Sequence, residues 1–310
     1  MTHQDYPWLS GQRPTAPRPD SLARLIMLLL VTIALTTNAI AENALALTPI
    51  LQSVDYGSIS PDGNTVVFIS YNEGKKRYEL SLKDLATGKE SLLHASTWIV
   101  AAMMDPSGTR VVFTGTAKER GRELDGLWII NRDGSGLKSF PSPLSAGSED
   151  RYPFWSPDGK HLAFTRDGHI WMALSDGSHP RLIAKGGPDS FATVRDWMDS
   201  TLLVARADFS GDEYTLYLME QETGKLTELG LQTSEDAIFI DSTETLLYGT
   251  GPLRIWNVED DEEDLEYLPI EPSFQSNVWL SRSADSTKVL LETVDDMDTS
   301  IHHLYLIDTN

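Results

Sequence analysis

The stretch "FWSPDGKHLAF" at residues 154–164 sets two short apolar runs around Ser-Pro-Asp-Gly. Pro157 presets φ for the second position of a β-turn, Asp158 suits the next position, and Gly159 tolerates the left-handed conformation that closes it. With apolar and aromatic residues on both sides, the stretch reads as a β-hairpin with a short loop. Nearly the same string stands at 58–68 as "SISPDGNTVVF" and, altered, at 103–113 as "MMDPSGTRVVF". Weaker copies are "VRDWMDSTLLVA" (194–205), "AIFIDSTETLLY" (237–248) and "WLSRSADSTKVLLE" (279–292). Aligned on the apolar run after the turn, Asp62, Ser107, Asp158, Met198, Ser242 and Asp285 share one position, spaced by 45, 51, 40, 44 and 43 residues.

A second signal recurs inside each period. A strand with a bulky apolar residue runs into a tight turn, as in "YELSLKDLATGKESLL" (78–93), "LWIINRDGSGLKSF" (127–140) and "LYLMEQETGKLTEL" (216–229). Each period therefore holds four short strands and no helical pattern, the signature of a β-propeller blade. The expected fold is all-β: a six-bladed β-propeller of four-stranded antiparallel blades occupying residues 42–310. The blades fall near 53–95, 96–140, 150–186, 190–230, 235–270 and 274–310. The last period stops after its third strand, and a strand-like stretch, "ALALTPILQ" (44–52), precedes the first. An open edge invites aggregation, so residues 45–51 are expected to close the ring as the outer strand of the last blade. Pro49 fits that edge position, where one missing N–H matters least.

The first 41 residues differ in kind. Arg24 precedes the apolar run "LIMLLLVTIAL" (25–35), and Ala39-Ile40-Ala41 follows with the small-x-small pattern of a cleavage site. The run has signal-peptide length and is short for a spanning helix. Export with cleavage after Ala41 or Ala46 is expected, and a bacterial periplasm is the expected destination. The competing reading is an uncleaved inner-membrane anchor, which would bring the membrane in as a partner. The chain has no cysteine, so it has no disulfide framework and no thiolate metal site. The formal charge is −21. Residues 1–41 hold three of the 25 basic and two of the 46 acidic residues, which leaves 22 and 44 for the remainder. Such a surface disfavours nucleic acid and anionic lipid and suits cationic partners or divalent ions.

No nucleophile elbow, phosphate loop or zinc-binding His-Glu-x-x-His occurs. His302 and His303 are adjacent, so in a strand they point to opposite faces. His161 and His169 end neighbouring strands and are candidates to meet. The acidic run "EDDEEDLE" (259–266) reads as a solvated turn. Asp295, Asp296 and Asp298 in "DDMD" form a weak candidate Ca²⁺ site; no other cofactor is expected. The tryptophans at 128, 155, 171, 197, 256 and 279 read as inter-blade packing. Longer loops at 71–76, 116–126, 141–150, 208–213 and 294–300 all open on one face by strand order. Binding residues favour loops held by a rigid scaffold. That face and the channel mouth are therefore the candidate partner site, with Asp55, Asp150, Arg151 and Asp236 at inner-strand starts and Lys118 and Arg120 on the 116–126 loop.

The repeat resembles that of the TolB propeller family over roughly residues 45–310, most specifically at Ser60–Phe68 and Ser156–Phe164. The resemblance implies a periplasmic protein-interaction scaffold without catalysis, monomeric and engaging envelope proteins. TolB itself places an α/β domain before its propeller, and residues 42–52 are expected not to form one. Related repeats occur in propellers of prolyl oligopeptidase relatives, which carry a hydrolase domain for which this chain is expected to have no room. A channel-mouth enzyme, such as a metal-assisted polysaccharide lyase or a hydrolase, is the alternative. It would need a converging His and carboxylate cluster.

Overall fold

The computed structural model describes residues 45–308 apart from 48, 141–149, 187–189, 209–213, 234–235, 241, 250–252, 259–265, 269, 272–277 and 295–301. Leu45–Asn310 folds as one compact unit; the expected signal segment lies outside the described residues. Among the described residues no helix is long and apolar enough to cross a membrane.

Six four-stranded sheets follow one another along the chain. Blade one contains Tyr56–Ile59, Thr65–Asn72, Arg77–Asp84 and Glu90–Ser96, from the innermost strand outward. Blades two to six repeat that order, with innermost strands Ile99–Met104, Asp150–Trp155, Ser190–Met198, Ala237–Ile240 and Val278–Arg282. The protein is thus a six-bladed β-propeller. Each second strand carries an apolar run without alternation, such as Val66–Ile69 in blade one and Leu202–Ala205 in blade four, because both its faces are covered there. In blade one Val66 and Phe68 pack toward blade six, while Val67 and Ile69 pack toward blade two. One apolar cluster fills each of the six gaps between neighbouring blades. Trp128, Trp155, Trp197 and Trp256 are buried in them.

The repeated turn is held by a serine and an aspartate. In blade three the Ser156 hydroxyl donates to Asp158 Oδ1 (2.7 Å) and accepts from His161 N–H (2.9 Å), while Gly159 N–H donates to Ser156 O (2.8 Å). Ser60 and Asp62 do the same in blade one, and Ser283 and Asp285 in blade six. Blade two exchanges the two roles: Asp105 sits where the serine stands elsewhere and accepts from the Ser107 hydroxyl and Arg110 N–H. Ala284 replaces proline in blade six, and its N–H donates to Pro61 O (2.8 Å), a bond proline could not make. Blade four is shorter. Partners flanking this turn are seven residues apart in blade three (Trp155, Leu162) but five apart in blade four (Trp197, Leu202).

The ring is closed by an N-terminal strand, running Pro49–Val54 and antiparallel to His302–Asp308. This begins and ends later than the expected 45–51. The physical reason is burial: Leu51 and Val54 reach the cluster between blades six and one, whereas Leu45–Ala46 pairs in parallel with Ile270–Glu271. Pro49 opens the strand opposite Tyr305.

Two further expectations change. The segment 116–126 is not a loop. Arg110–Glu119 and Arg122–Asn131 pair without interruption to Glu119 and Arg122. Arg120 (φ 50°) and Gly121 (φ 79°) turn the chain in two residues, as a type I′ turn requires. His161 and His169 do not meet. His161 pairs with Leu174 and His169 with Arg166, at opposite ends of one hairpin.

Two outcomes follow from these contacts. Removing residues 45–54 strips Leu51 and Val54 from the core. At about 1.5–3 kcal/mol per buried side chain, against a typical stability of about 5–15 kcal/mol, the melting temperature falls or the protein aggregates. A chain starting at Pro49 melts near the parent. The second outcome concerns acid. Ser156 and the Lys160 N–H hold the Asp158 carboxyl down at about 2. Ser283 and Thr287 lower Asp285, and hydrogen bonds from Ser60 and Asn64 lower Asp62 against the opposing effect of burial. A carboxylate depressed on folding contributes stability fully above its ordinary value of 3.8 and loses it as pH falls through the folded value, here about 2. The urea midpoint therefore drops between about pH 5 and pH 2, and Asp158→Asn shows a smaller drop.

Candidate functional site

The six innermost strands line a central channel with a cavity at each end. The cavity of about 170 Å³ lies beside the repeated turns and is walled largely by apolar side chains, among them Met103, Met104, Trp155 and Trp197. The other, of about 220 Å³, lies at the inner-strand starts and is lined by Asp55, Tyr56, Tyr152, Arg195, Asp236, Trp279, Glu292 and His302. The second strands end on this same face, which therefore carries the 116–126 hairpin.

Each buried carboxylate here ties one blade to another. Glu292 projects from the second strand of blade six; its Oε2 accepts the Gly57 N–H of blade one (3.0 Å) and its Oε1 faces His302 Nδ1 at 2.8 Å. A Cβ at position 57 would run into the buried Leu304 side chain. Asp236 of blade five accepts the Leu280 N–H of blade six through Oδ2 (2.9 Å). Its Oδ1 stands 3.5 Å from Arg195 Nη1, an ion pair without a hydrogen bond. Deeper in the channel, Asp196 accepts the Phe239 N–H of blade five (2.9 Å) and pairs with Arg282 Nε of blade six (2.7 Å).

Burial dominates the electrostatics of the mouth. It pushes the Asp236 carboxyl up against the pull of Arg195, and the Glu292 carboxyl up against the pull of His302. Asp55 is raised by desolvation, with His302 opposing. The Tyr56 phenol is raised by burial and then by Glu292 and Asp236. His302 is itself raised, first by its hydrogen bond to Glu292, and its ring stacks on Trp279 at 5.6 Å and 12°.

The structure brings Asp55 and Asp236 of the expected site residues to this one cavity. It does not bring Arg151, Lys118 or Arg120 there. The Arg151 guanidinium lies over the Trp98 ring at 5.7 Å. Lys118 pairs with Glu123 at 3.5 Å on the exposed hairpin, and Arg120 forms its turn. Asp150 opens the inner strand of blade three. Asp295, Asp296 and Asp298 lie outside the described residues. Glu292, His302 and Trp279 were missed as a group. The available signal was their spacing: Glu292 and His302 lie on paired strands, and Trp279 sits directly opposite Glu292.

Exposed apolar side chains add to this face. Tyr71 (38% exposed) ends a second strand, Leu124 (43%) is on the hairpin, and Tyr152 (47%) is at an inner-strand start. Tyr71 meets Tyr78 edge-on at 5.0 Å. Tyr152 (φ 51°) lies in a bulged stretch of its strand and borders the mouth cavity.

No family model matches the chain. A probable dipeptidyl peptidase 4 of Aspergillus flavus is 30% identical over 193 residues, 58% of this chain and 24% of that protein. One from Emericella nidulans is 29% identical over 117 residues, 36% of this chain and 14% of that protein. The chain thus spans about a quarter or less of the length of these relatives. Among solved structures, an oligogalacturonate lyase in complex with manganese superposes with a TM-score of 0.56 at 16% identity, covering 81% of this chain and 76% of that one. TolB from Acinetobacter baumannii gives 0.56 at 13% identity, covering 80% and 65%. These two likenesses concern the fold.

The Glu292–His302 pair makes a direct prediction. His302 titrates above the ordinary 6.5 because the Glu292 carboxylate stabilises the imidazolium. Replacing Glu292 with Gln removes that charge, so the His302 midpoint moves down, read from its imidazole Cε1–H resonance against pH. A midpoint that moves up or stays in place contradicts the pairing.

Proposed function

We propose that the chain is an exported, non-catalytic binding scaffold of the bacterial periplasm that docks an envelope protein on the face around the Asp55–His302 mouth. One observation carries the reading: Tyr71, Leu124 and Tyr152, from the neighbouring blades one, two and three, are each exposed at strand ends on that face. Aromatic side chains held by a rigid scaffold are the common anchors of protein interfaces. The projecting hairpin adds mixed charge, with Lys118 and Arg120 beside Glu123, which favours specific and salt-sensitive docking. The buried carboxylates of the mouth already hold the ring together through Gly57 and Leu280, which supports a structural use for them. The likeness to TolB favours the same class of role; the relatives named dipeptidyl peptidase 4 match over too small a share of their length to favour peptidase activity here. Monomeric state and independence from a cofactor belong to this proposal.

A second reading, an enzyme acting at the mouth, has the Glu292–His302 pair in its favour, since a raised histidine beside a carboxylate is a candidate acid or base. One experiment separates the two. Envelope extract is passed over the immobilised protein and over two variants. Tyr71→Ser with Leu124→Ser and Tyr152→Ser is expected to lose the captured protein at least tenfold. Lys89→Glu with Lys225→Glu, in turns of the opposite face, is expected to retain it. Loss with the second variant alone refutes the face. Capture that is unchanged in both, together with turnover of a glycan or peptide substrate abolished by His302→Ala, supports the enzyme.

A further inference from the structure

Glu292 sits at the seam where the ring closes. It lies on the second strand of blade six, Lys288–Val294, and is 2% exposed. One carboxylate oxygen accepts the Gly57 N–H of blade one at 3.0 Å, and the other faces His302 Nδ1 at 2.8 Å. His302 opens the third strand of blade six opposite Val54 of the closing strand, and its ring stacks on Trp279 of the inner strand. One buried side chain thus joins the first blade to the last. Its charge is balanced by a base that loses its proton near neutral pH.

The other groups around the pair do not replace that base. The closing strand Pro49–Val54 carries no titratable side chain. Asp55 of blade one faces both His302 and Glu292. Tyr56 faces Glu292 and, across the mouth cavity, Asp236, Arg195 and Tyr152. Arg195 is engaged by Asp236 at 3.5 Å and by the Tyr214 ring at 4.7 Å. Deprotonating His302 therefore takes the contacting cation from a buried carboxylate, and an uncompensated buried charge is costly. Both partners shift in one direction. His302 is held above 6.5, first by its hydrogen bond to Glu292, and burial holds Glu292 above 4.5. Each binds its proton more tightly in the closed seam than in an open one. The hold on Gly57 is thus fullest below 6.5 and is lost as pH rises through the folded value of His302. The turn aspartates act in the opposite sense and in a separate window, below 3.8.

We propose that the Glu292–His302 pair is a proton-operated latch on the ring seam. With His302 protonated, the latch holds Gly57 of blade one against blade six. Loss of that proton as pH rises weakens the hold on the Gly57 N–H, while the outer strand Pro49–Val54 keeps the ring closed. Tyr56 adjoins Gly57 and lines the mouth cavity, so the mouth is the part of the ring that loosens. The latch acts whether or not a partner is docked there.

The test is amide hydrogen exchange of the full protein across neutral pH, corrected for the intrinsic rate, with the His302 imidazole resonance recorded alongside. Protection of the Gly57 amide is expected to fall as pH rises from 6.5 to the His302 midpoint, by about tenfold for each pH unit between the two, and to level off above it. Above that midpoint Gly57 should exchange faster than Val67 of the same blade, because the opening is local. The Gly57 amide resonance should titrate with His302. That of Phe239 should not, since it is held by Asp196, whose partner Arg282 keeps its charge. Glu292→Gln, which keeps an acceptor for the Gly57 N–H, should abolish the pH dependence. If that variant does not fold, the comparison of Gly57 with Phe239 and Val67 in the parent still decides. Gly57 protection that is constant with pH, a dependence undiminished in Glu292→Gln, or equal protection of Gly57 and Val67 above the midpoint would each overturn the latch.

Discussion

The architecture depends on one pairing, that of Pro49–Val54 with His302–Asp308. Every other blade completes itself from consecutive chain; only this one joins two distant segments. The seam it seals is also bridged by polar contacts. Ile59 N–H donates to Ser281 Oγ at 3.1 Å, Ala284 N–H to Pro61 O at 2.8 Å and Lys288 Nζ to Gly63 O at 3.0 Å. Without the outer strand, Leu290 and Leu304 would lose Leu51 and Val54 as neighbours in their cluster. In a cysteine-free chain, closure does the stabilising work that disulfides do in many exported domains.

Closure in turn fixes the channel. Six inner strands converge there, and a propeller leaves some of their N–H groups facing the axis without a ladder partner. The protein answers with carboxylates borrowed from neighbouring blades: Asp196 for Phe239, Asp236 for Leu280 and Glu292 for Gly57. A buried ion pair such as Asp196–Arg282 contributes little net stability once desolvation is counted, but it links blades four and six across blade five. The acidic mouth is therefore a by-product of ring assembly as well as a candidate binding surface.

The six-bladed fold was legible because its cause is local and repeated. Ser-Pro-Asp-Gly followed by a doubly apolar strand recurs where both faces of that strand are covered. Of the altered copies, blades two and six keep the serine–aspartate pair, with Asp105 and Ser107 exchanged in blade two. What was not legible depends on register and on contacts distant in sequence. The closing strand's bounds follow from which residues reach the gap between blades six and one, a gap that joins Ile59, Val66 and Phe68 to Leu290 and Leu304 from the far end of the chain. The 116–126 segment read as a loop because its charges mask a strand, and only the two-residue turn at Arg120 and Gly121 shows otherwise. At the mouth, Asp55 and Asp236 were visible from strand order. Glu292, His302 and Trp279 were not, because ordinary strand residues acquire their meaning only once the ring has closed.

Native-state hydrogen exchange in low urea tests closure most directly. The amides of the Pro49–Val54 strand and those of the Thr65–Asn72 strand are predicted to exchange through one global opening, with the same steep urea dependence. Exchange of the closing strand through a local opening insensitive to urea, while Thr65–Asn72 stays protected, would contradict the account.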